Sequence, residues 1–303
     1  MNKKTLLCIV GPTGIGKTAL SIAFAKAYQT SIISSDSRQF YKEMTIGTAV
    51  PEKEELEAAP HYFIQDRSIH EDYSVGDFER DVMKILPVLF ENNDLVIMVG
   101  GSALYEKAVT YGLDDLPVVP TDIQEELKSA LKINGLIWLQ KELKKNDPAY
   151  FETVDICNSH RLLRAIGIFR ASGKKMNELR SGIAQSRNFK IIKIGLEADR
   201  DDLYDRINKR VDLMLARGLE EEVQLLNDHK TLNALQTVGY KEFFEYFTGV
   251  YDYNEAVRLI KRNTRRFAKR QLTWYRKDKN VTWFHYKTRH TEIVQRVSEN
   301  LME

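Results

Sequence analysis

The stretch that most restricts what this chain can be lies at residues 5–25, where the apolar run TLLCIV leads into GPTGIGKT and then into a helix-forming segment. Strand, glycine-rich turn and helix in that order make a phosphate-binding loop. Gly11, Pro12, Thr13, Gly14, Ile15 and Gly16 let backbone N–H groups wrap an anion, and Lys17 reaches its outer oxygens. Thr18 offers a hydroxyl to Mg²⁺. The anion also sits at the positive end of the helix dipole. The alternative is a strand-to-helix turn with no ligand. The motif is the nucleotide-binding one of ATP-using proteins, but by itself it does not say whose phosphate it holds.

At 303 residues the chain is long enough for about two domains. A net charge of +2 excludes steering by a whole-molecule field, so any basic surface is local. Cys8 and Cys157 offer neither metal spacing nor a disulfide framework, which fits a reducing compartment. No apolar run approaches membrane-spanning length, and MNKK runs into the first strand without a signal-peptide pattern. These features lead us to expect a cytoplasmic protein; a monomer is a separate expectation that they do not supply.

A second buried strand is expected at residues 30–36, ending in Asp36. Ligands of open α/β sheets gather at the carboxyl ends of strands, which places Asp36 near the loop. A helix-capping or solvated aspartate is the other reading. Ser37, Arg38, Gln39, Phe40 and Tyr41 then mix groups suited to hydrogen bonding and stacking on a base, or to an ordinary amphipathic turn. His61 and His70 are read as packing residues. A third strand, at residues 94–101, ends in Val99-Gly100-Gly101 where an ATPase would place a Mg²⁺-holding aspartate. We expect those glycines to allow close approach by a ligand.

Helical periodicity dominates from residue 121 to about residue 186, suggesting a small helical domain inserted into the sheet domain. Arg161 and Arg164 fall one turn apart there, as phosphate contacts or as a solvated face. A strand resumes at residues 189–198, followed by two helices broken at Gly218, with Arg206 and Arg210 on a polar flank. Residues 257–279 hold ten Lys or Arg against the single acid Asp278. Val257, Ile260, Thr264, Phe267, Gln271 and Trp274 form the apolar stripe of that helix, with Arg265, Lys269 and Arg270 outside it. Beside Trp274 and Tyr275, this charge is a nucleic-acid footprint or a solvated run.

These blocks together resemble the tRNA dimethylallyltransferase (tRNA isopentenylpyrophosphate transferase) family. The match runs through GPTGIGKT, DSRQFYKEMTIGTA, SVGDFERD, VGGSALY, HRLLRAIGIFRASGK, RINKRVDLMLARGLEEEV, TVGYKE and RRFAKRQLTWYRK, in the family's order. The resemblance implies an α/β fold, a P-loop NTPase-like core with a mostly parallel sheet flanked by helices, plus an inserted small helical domain. Residues 1–118 would be the first part of the core, 119–187 the inserted tRNA-binding domain and 188–303 the rest of the core with its basic helix. The implied reaction moves a dimethylallyl group from dimethylallyl pyrophosphate to N6 of the adenosine 3′ of the tRNA anticodon, with Mg²⁺ as cofactor.

By the same resemblance, Asp36 takes the proton from N6, while Lys17, Thr18-bound Mg²⁺ and Arg210 stabilise the departing pyrophosphate. Asp36, Ser37, Arg38 and Gln39 would surround the target base. Ser102, His160, Arg161, Leu162, Leu163 and Arg164 would make further contacts to the anticodon stem-loop, joined by Arg265, Lys269 and Arg270. Ser102, Ala103, Glu106, Ser159 and Gly167 depart from the family's usual residues. The competing readings are a prenyltransferase acting on free nucleotide, a small-molecule kinase and an RNA-binding relative without activity. The inserted domain and the basic helix argue against the first.

Overall fold

The computed structural model describes residues 4–180 and 185–302. Residues 181–184, inside the expected insertion, lie outside the described residues, as do residues 1–3 and 303. The chain divides into two compact units, Met1–Tyr111 with Ser186–Glu303, and Gly112–Gln185. The second unit thus begins at residue 112 and ends at residue 185, where the resemblance implies 119 and 187.

The first unit runs β1 (Thr5–Val10), α1 (Lys17–Tyr28), β2 (Ile32–Ser34), α2 (Lys53–Glu57), β3 (His61–Tyr62), α3 (Val75–Asn92), β4 (Leu95–Val99) and α4 (Ala103–Tyr111). The second holds α5 (Thr121–Asn146), α6 (Pro148–Phe151), α7 (Ser159–Ser172) and α8 (Met176–Leu179). The chain then completes the first unit with β5 (Lys190–Glu197), α9 (Arg200–Ala216), α10 (Leu219–Leu225), α11 (Tyr240–Phe247), α12 (Tyr253–Tyr275), β6 (Val281–His285) and α13 (His290–Met302).

The described strands form one sheet, in the order β3-β2-β4-β1-β5-β6, and every neighbouring pair is parallel. β1 is buried throughout because helices cover both faces of the sheet, the reason its sequence is a continuous apolar run. Leu7 and Ile9 pack with Leu20, Phe24, Leu203 and Ile207 on one face. Leu6, Cys8 and Val10 pack with Phe78, Val82 and Leu86 on the other. The two-residue edge strand β3 was not legible in the sequence, since so short a pairing leaves no alternation to read.

Parallel pairing brings the carboxyl ends of β1, β2 and β4 to one edge, with the phosphate loop, Asp36 and Gly100-Gly101 side by side. The glycine pair lines the narrow cavity and is also needed by the protein's own packing. A Cβ on Gly100 would run into the backbone of Ser35, and one on Gly101 would lie 2.8 Å from Gln271 Nε2 and 3.2 Å from Asp36 Oδ2.

Two departures from the family pattern are matters of packing. Glu106 is buried on α4 and pairs with the equally buried Lys193 of β5 at 2.7 Å, and Lys193 also reaches Asp278 at 2.8 Å. Burial opposes the Lys193 charge, but Glu106 and Asp278 overcome it and hold the ammonium above its usual range. Gly167 of α7 faces Val119, whose Cγ1 would lie 2.9 Å from an added Cβ, so a larger residue has no room there.

Candidate active site

Two cavities meet at Asp36. The wider, about 780 Å³, is lined by Ser37, Arg38, Ser102, Tyr105, Arg266, Arg270 and Trp274 among others. The narrower, about 80 Å³, ends on Lys17 and Thr18 and includes Ser34, Gln39 and His61. Thr13, Asp36, Gly101, Arg210, Phe267 and Gln271 border both.

The loop beneath the narrow cavity is shaped by glycines in backbone conformations that L side chains rarely adopt. Gly14 and Gly16 have φ 79° and 108°, and Gly16 precedes the first residue of α1. Lys17 Nζ donates to Pro12 O at 2.8 Å. Burial pushes its pKa down to about 7, the Arg210 guanidinium adds to that effect, and Asp36 opposes it. Arg210 is itself lowered by burial, against the pull of Asp36 and Glu55. The site therefore concentrates positive charge that lacks full compensation, the electrostatic state an anion would relieve. Arg206, one turn before Arg210, donates to Gly14 O at 2.9 Å and braces the loop.

Asp36 follows β2, and its Oδ1 accepts from Arg38 N at 3.0 Å. Ser37 and Ser102 hold the two strand-end loops together. Ser37 N donates to Ser102 Oγ at 3.0 Å, and Ser102 Oγ donates to Ser37 Oγ at 2.9 Å. The Gln39 carboxamide is occupied within its own loop, accepting from Ser34 Oγ and donating to Ala49 O at 2.9 Å. Arg38 lines the wide cavity with Nη1 on Asn233 O at 2.9 Å. The loop is fixed from outside by Glu222, whose carboxylate accepts from Thr45 N, Ile46 N and Gly47 N at 3.0, 2.7 and 2.9 Å.

α12 is turned differently from the sequence reading. Its buried face is Ala256, Ile260, Ala268, Gln271 and Tyr275. Phe267 and Trp274, expected in the apolar stripe, keep 36% and 42% of their surface exposed and line the wide cavity. Arg270 lines the same cavity, beside Arg266, which the sequence analysis does not single out. Arg265 instead donates to Asn208 Oδ1 of α9 at 2.6 Å, and Lys269 is exposed away from the lining. The missed member of greatest consequence is Gln271, only 4% exposed. Its one signal in the sequence was a carboxamide at an apolar-stripe position.

His160, Arg161, Leu162, Leu163 and Arg164 belong to the second unit. His160, Arg161 and Arg164 are exposed on α7, whereas Leu162 is wholly buried in that unit's core and Leu163 packs against it. Leu162 thus has no surface for a partner, because it holds α7 to its neighbours. His61 donates through Nδ1–H to Ala59 O, 2.8 Å away, and burial lowers its pKa. His70 stacks edge-on against His229.

Oxygen groups around the narrow cavity that could hold a metal are the Thr18 hydroxyl, the Ser21 and Ser34 hydroxyls and the Asp36 carboxylate, beside the His61 imidazole. Such a set fits Mg²⁺, which keeps waters and takes further ligands from substrate phosphates. No helix among the described residues is long and apolar enough to cross a membrane.

The profile of a family described as IPP transferase matches residues 39–278. A tRNA dimethylallyltransferase of Christiangramia forsetii is 55% identical over 281 residues, 93% of each chain. One from Flavobacterium johnsoniae is 46% identical over 98% of each chain. The crystal structure of the full-length tRNA isopentenylpyrophosphate transferase from Bacillus halodurans superposes with a TM-score of 0.73 at 36% identity, covering 99% of this chain and 97% of the other. By profile, by identity along its length and by fold, the chain belongs to the IPP transferase family.

Proposed function

We propose that this protein transfers the dimethylallyl group of dimethylallyl pyrophosphate to N6 of the adenosine 3′ of the anticodon in tRNA. One observation carries the reading: Asp36 stands in the wall between a narrow cavity ending on Lys17 and Thr18 and a wide one lined by Arg266, Phe267, Arg270 and Trp274. The narrow cavity suits a pyrophosphate. The wide one, with cations and two half-exposed aromatics, suits an extruded base and its flanking phosphates.

In this reading the N6 amine attacks C1 of the dimethylallyl group, the C1–O bond breaks, and Asp36 accepts the proton that N6 loses. The amine is a poor nucleophile because its lone pair is delocalised into the ring, so proton removal must accompany bond formation. The loop amides, Lys17 and Arg210 meet the charge that grows on pyrophosphate. Mg²⁺ held by Thr18 would supply further charge neutralisation on the same group. Arg161 and Arg164 of the second unit are assigned to tRNA phosphates. We assign the protein to the cytoplasm, working as a monomer.

The test is to incubate the protein with dimethylallyl pyrophosphate, Mg²⁺ and unmodified tRNA, then digest the tRNA and weigh its nucleosides. Appearance of N6-dimethylallyladenosine supports the proposal. Modification of free AMP but not tRNA would replace it with the nucleotide-directed alternative.

A further inference from the structure

A carboxamide buried without partners costs several kcal/mol, so its partners explain its presence. Gln271 Oε1 accepts from Thr13 N in the phosphate loop at 2.8 Å, and Nε2 donates to Gly101 O after β4 at 2.7 Å. Both partners are backbone groups of loops that carry no regular ladder. One side chain on α12 thus ties the loop beneath the narrow cavity to the turn that abuts Asp36, since a Cβ on Gly101 would touch both Gln271 and Asp36. The Thr13 amide, which a phosphate loop can offer to its anion, is committed to Gln271 instead. On the same helix, Phe267, Arg270 and Trp274 stand four residues before, one before and three after Gln271, all lining the acceptor side.

We propose that Gln271 is a positioning residue: it sets the donor cradle, the Asp36 loop and the acceptor-lining face of α12 at the spacing that transfer requires. This rests on the proposed reaction but deepens it, because the spacing of reacting atoms governs the rate of the chemical step more than affinity. Misplacement by about 1 Å can cost about 10²-fold.

The test uses Gln271→Met and Gln271→Glu. Methionine keeps the volume and loses both hydrogen bonds. A neutral glutamic acid keeps the one acceptor and the one donor that these two bonds use, and loses the donor on ionising. With both substrates saturating, single-turnover transfer by Gln271→Met should fall about 10- to 100-fold. Its dissociation constants for tRNA and donor should stay within about threefold of the parent's. The rate of Gln271→Glu relative to the parent should climb as pH falls from about 8.5 to about 6, an acid rescue that a packing role would not produce. In the ligand-free protein, the Thr13 amide should exchange with solvent at least about tenfold faster in Gln271→Met. Unaltered Thr13 exchange, a rate loss explained wholly by weaker tRNA binding, or a flat pH ratio for Gln271→Glu would each overturn the assignment. Absence of transfer by the parent protein would instead sink the proposed reaction, leaving the exchange measurement to decide the role of Gln271.

Discussion

Raising the pH should weaken donor binding through Lys17. In the ligand-free site burial and Arg210 hold its pKa at about 7, against an ordinary value of about 10.4. At pH 8 roughly nine-tenths of the side chains are then neutral. A pyrophosphate in contact with Lys17 restores the charge, so binding at that pH takes up close to ~0.9 proton and the dissociation constant rises about tenfold per unit above ~7. Pyrophosphate ionisation is nearly complete by pH 8 and does not account for the uptake. The assay is calorimetric titration with dimethylallyl pyrophosphate and Mg²⁺ at pH 8, in buffers of different ionisation enthalpy. Lys17→Arg, charged throughout, serves as the control without uptake. Uptake below about 0.3 proton, or affinity constant from pH 7.5 to 9, would refute the reasoning. Stability of the free protein carries the matching sign. The unfolded chain binds the Lys17 proton more tightly, so this group's contribution grows as pH rises from about 7 towards 10 and is lost below 7.

Asp36→Asn keeps the size and some hydrogen bonding but cannot accept a proton, so single-turnover transfer with both substrates saturating should fall about 10² to 10⁴-fold; a loss under tenfold would leave Asp36 a positioning residue. Replacing Arg266 and Arg270 by Gln should weaken tRNA binding and reduce its salt dependence by about one unit of slope per contact, measured by titration across salt concentrations. Arg265→Gln, whose partner is Asn208, should leave that slope unchanged. Lys193→Met alone should cost about 3 to 5 kcal/mol in urea unfolding, since Glu106 stays buried without its counter-ion and keeps only the Thr110 hydroxyl as donor. Glu106→Leu with Lys193→Met should recover most of that loss, and failure to recover would mean the pair holds more than itself.

The sequence by itself determined the local chemistry. TLLCIV before GPTGIGKT specifies a buried strand, a glycine turn and a helix start, because each depends on residues next to one another, and the structure has all three. The turns carrying Asp36 and Gly100-Gly101 were legible for the same reason, although β2 and β4 themselves stop at Ser34 and Val99. Which faces of the helices meet the site was decided only by tertiary packing. Successive residues on a helix point about 100° apart, so a small error in the buried stripe reassigns every charge. α9 takes Arg265 with Asn208 and Lys261 with Asp212, and that docking turns Arg266, Phe267, Arg270 and Trp274 towards the wide cavity. Gln271 shows the limit most plainly. Its partners Thr13 and Gly101 lie 258 and 170 residues away along the chain. No local pattern records such a bond, because the order of strands in the sheet is what brings those loops to one helix.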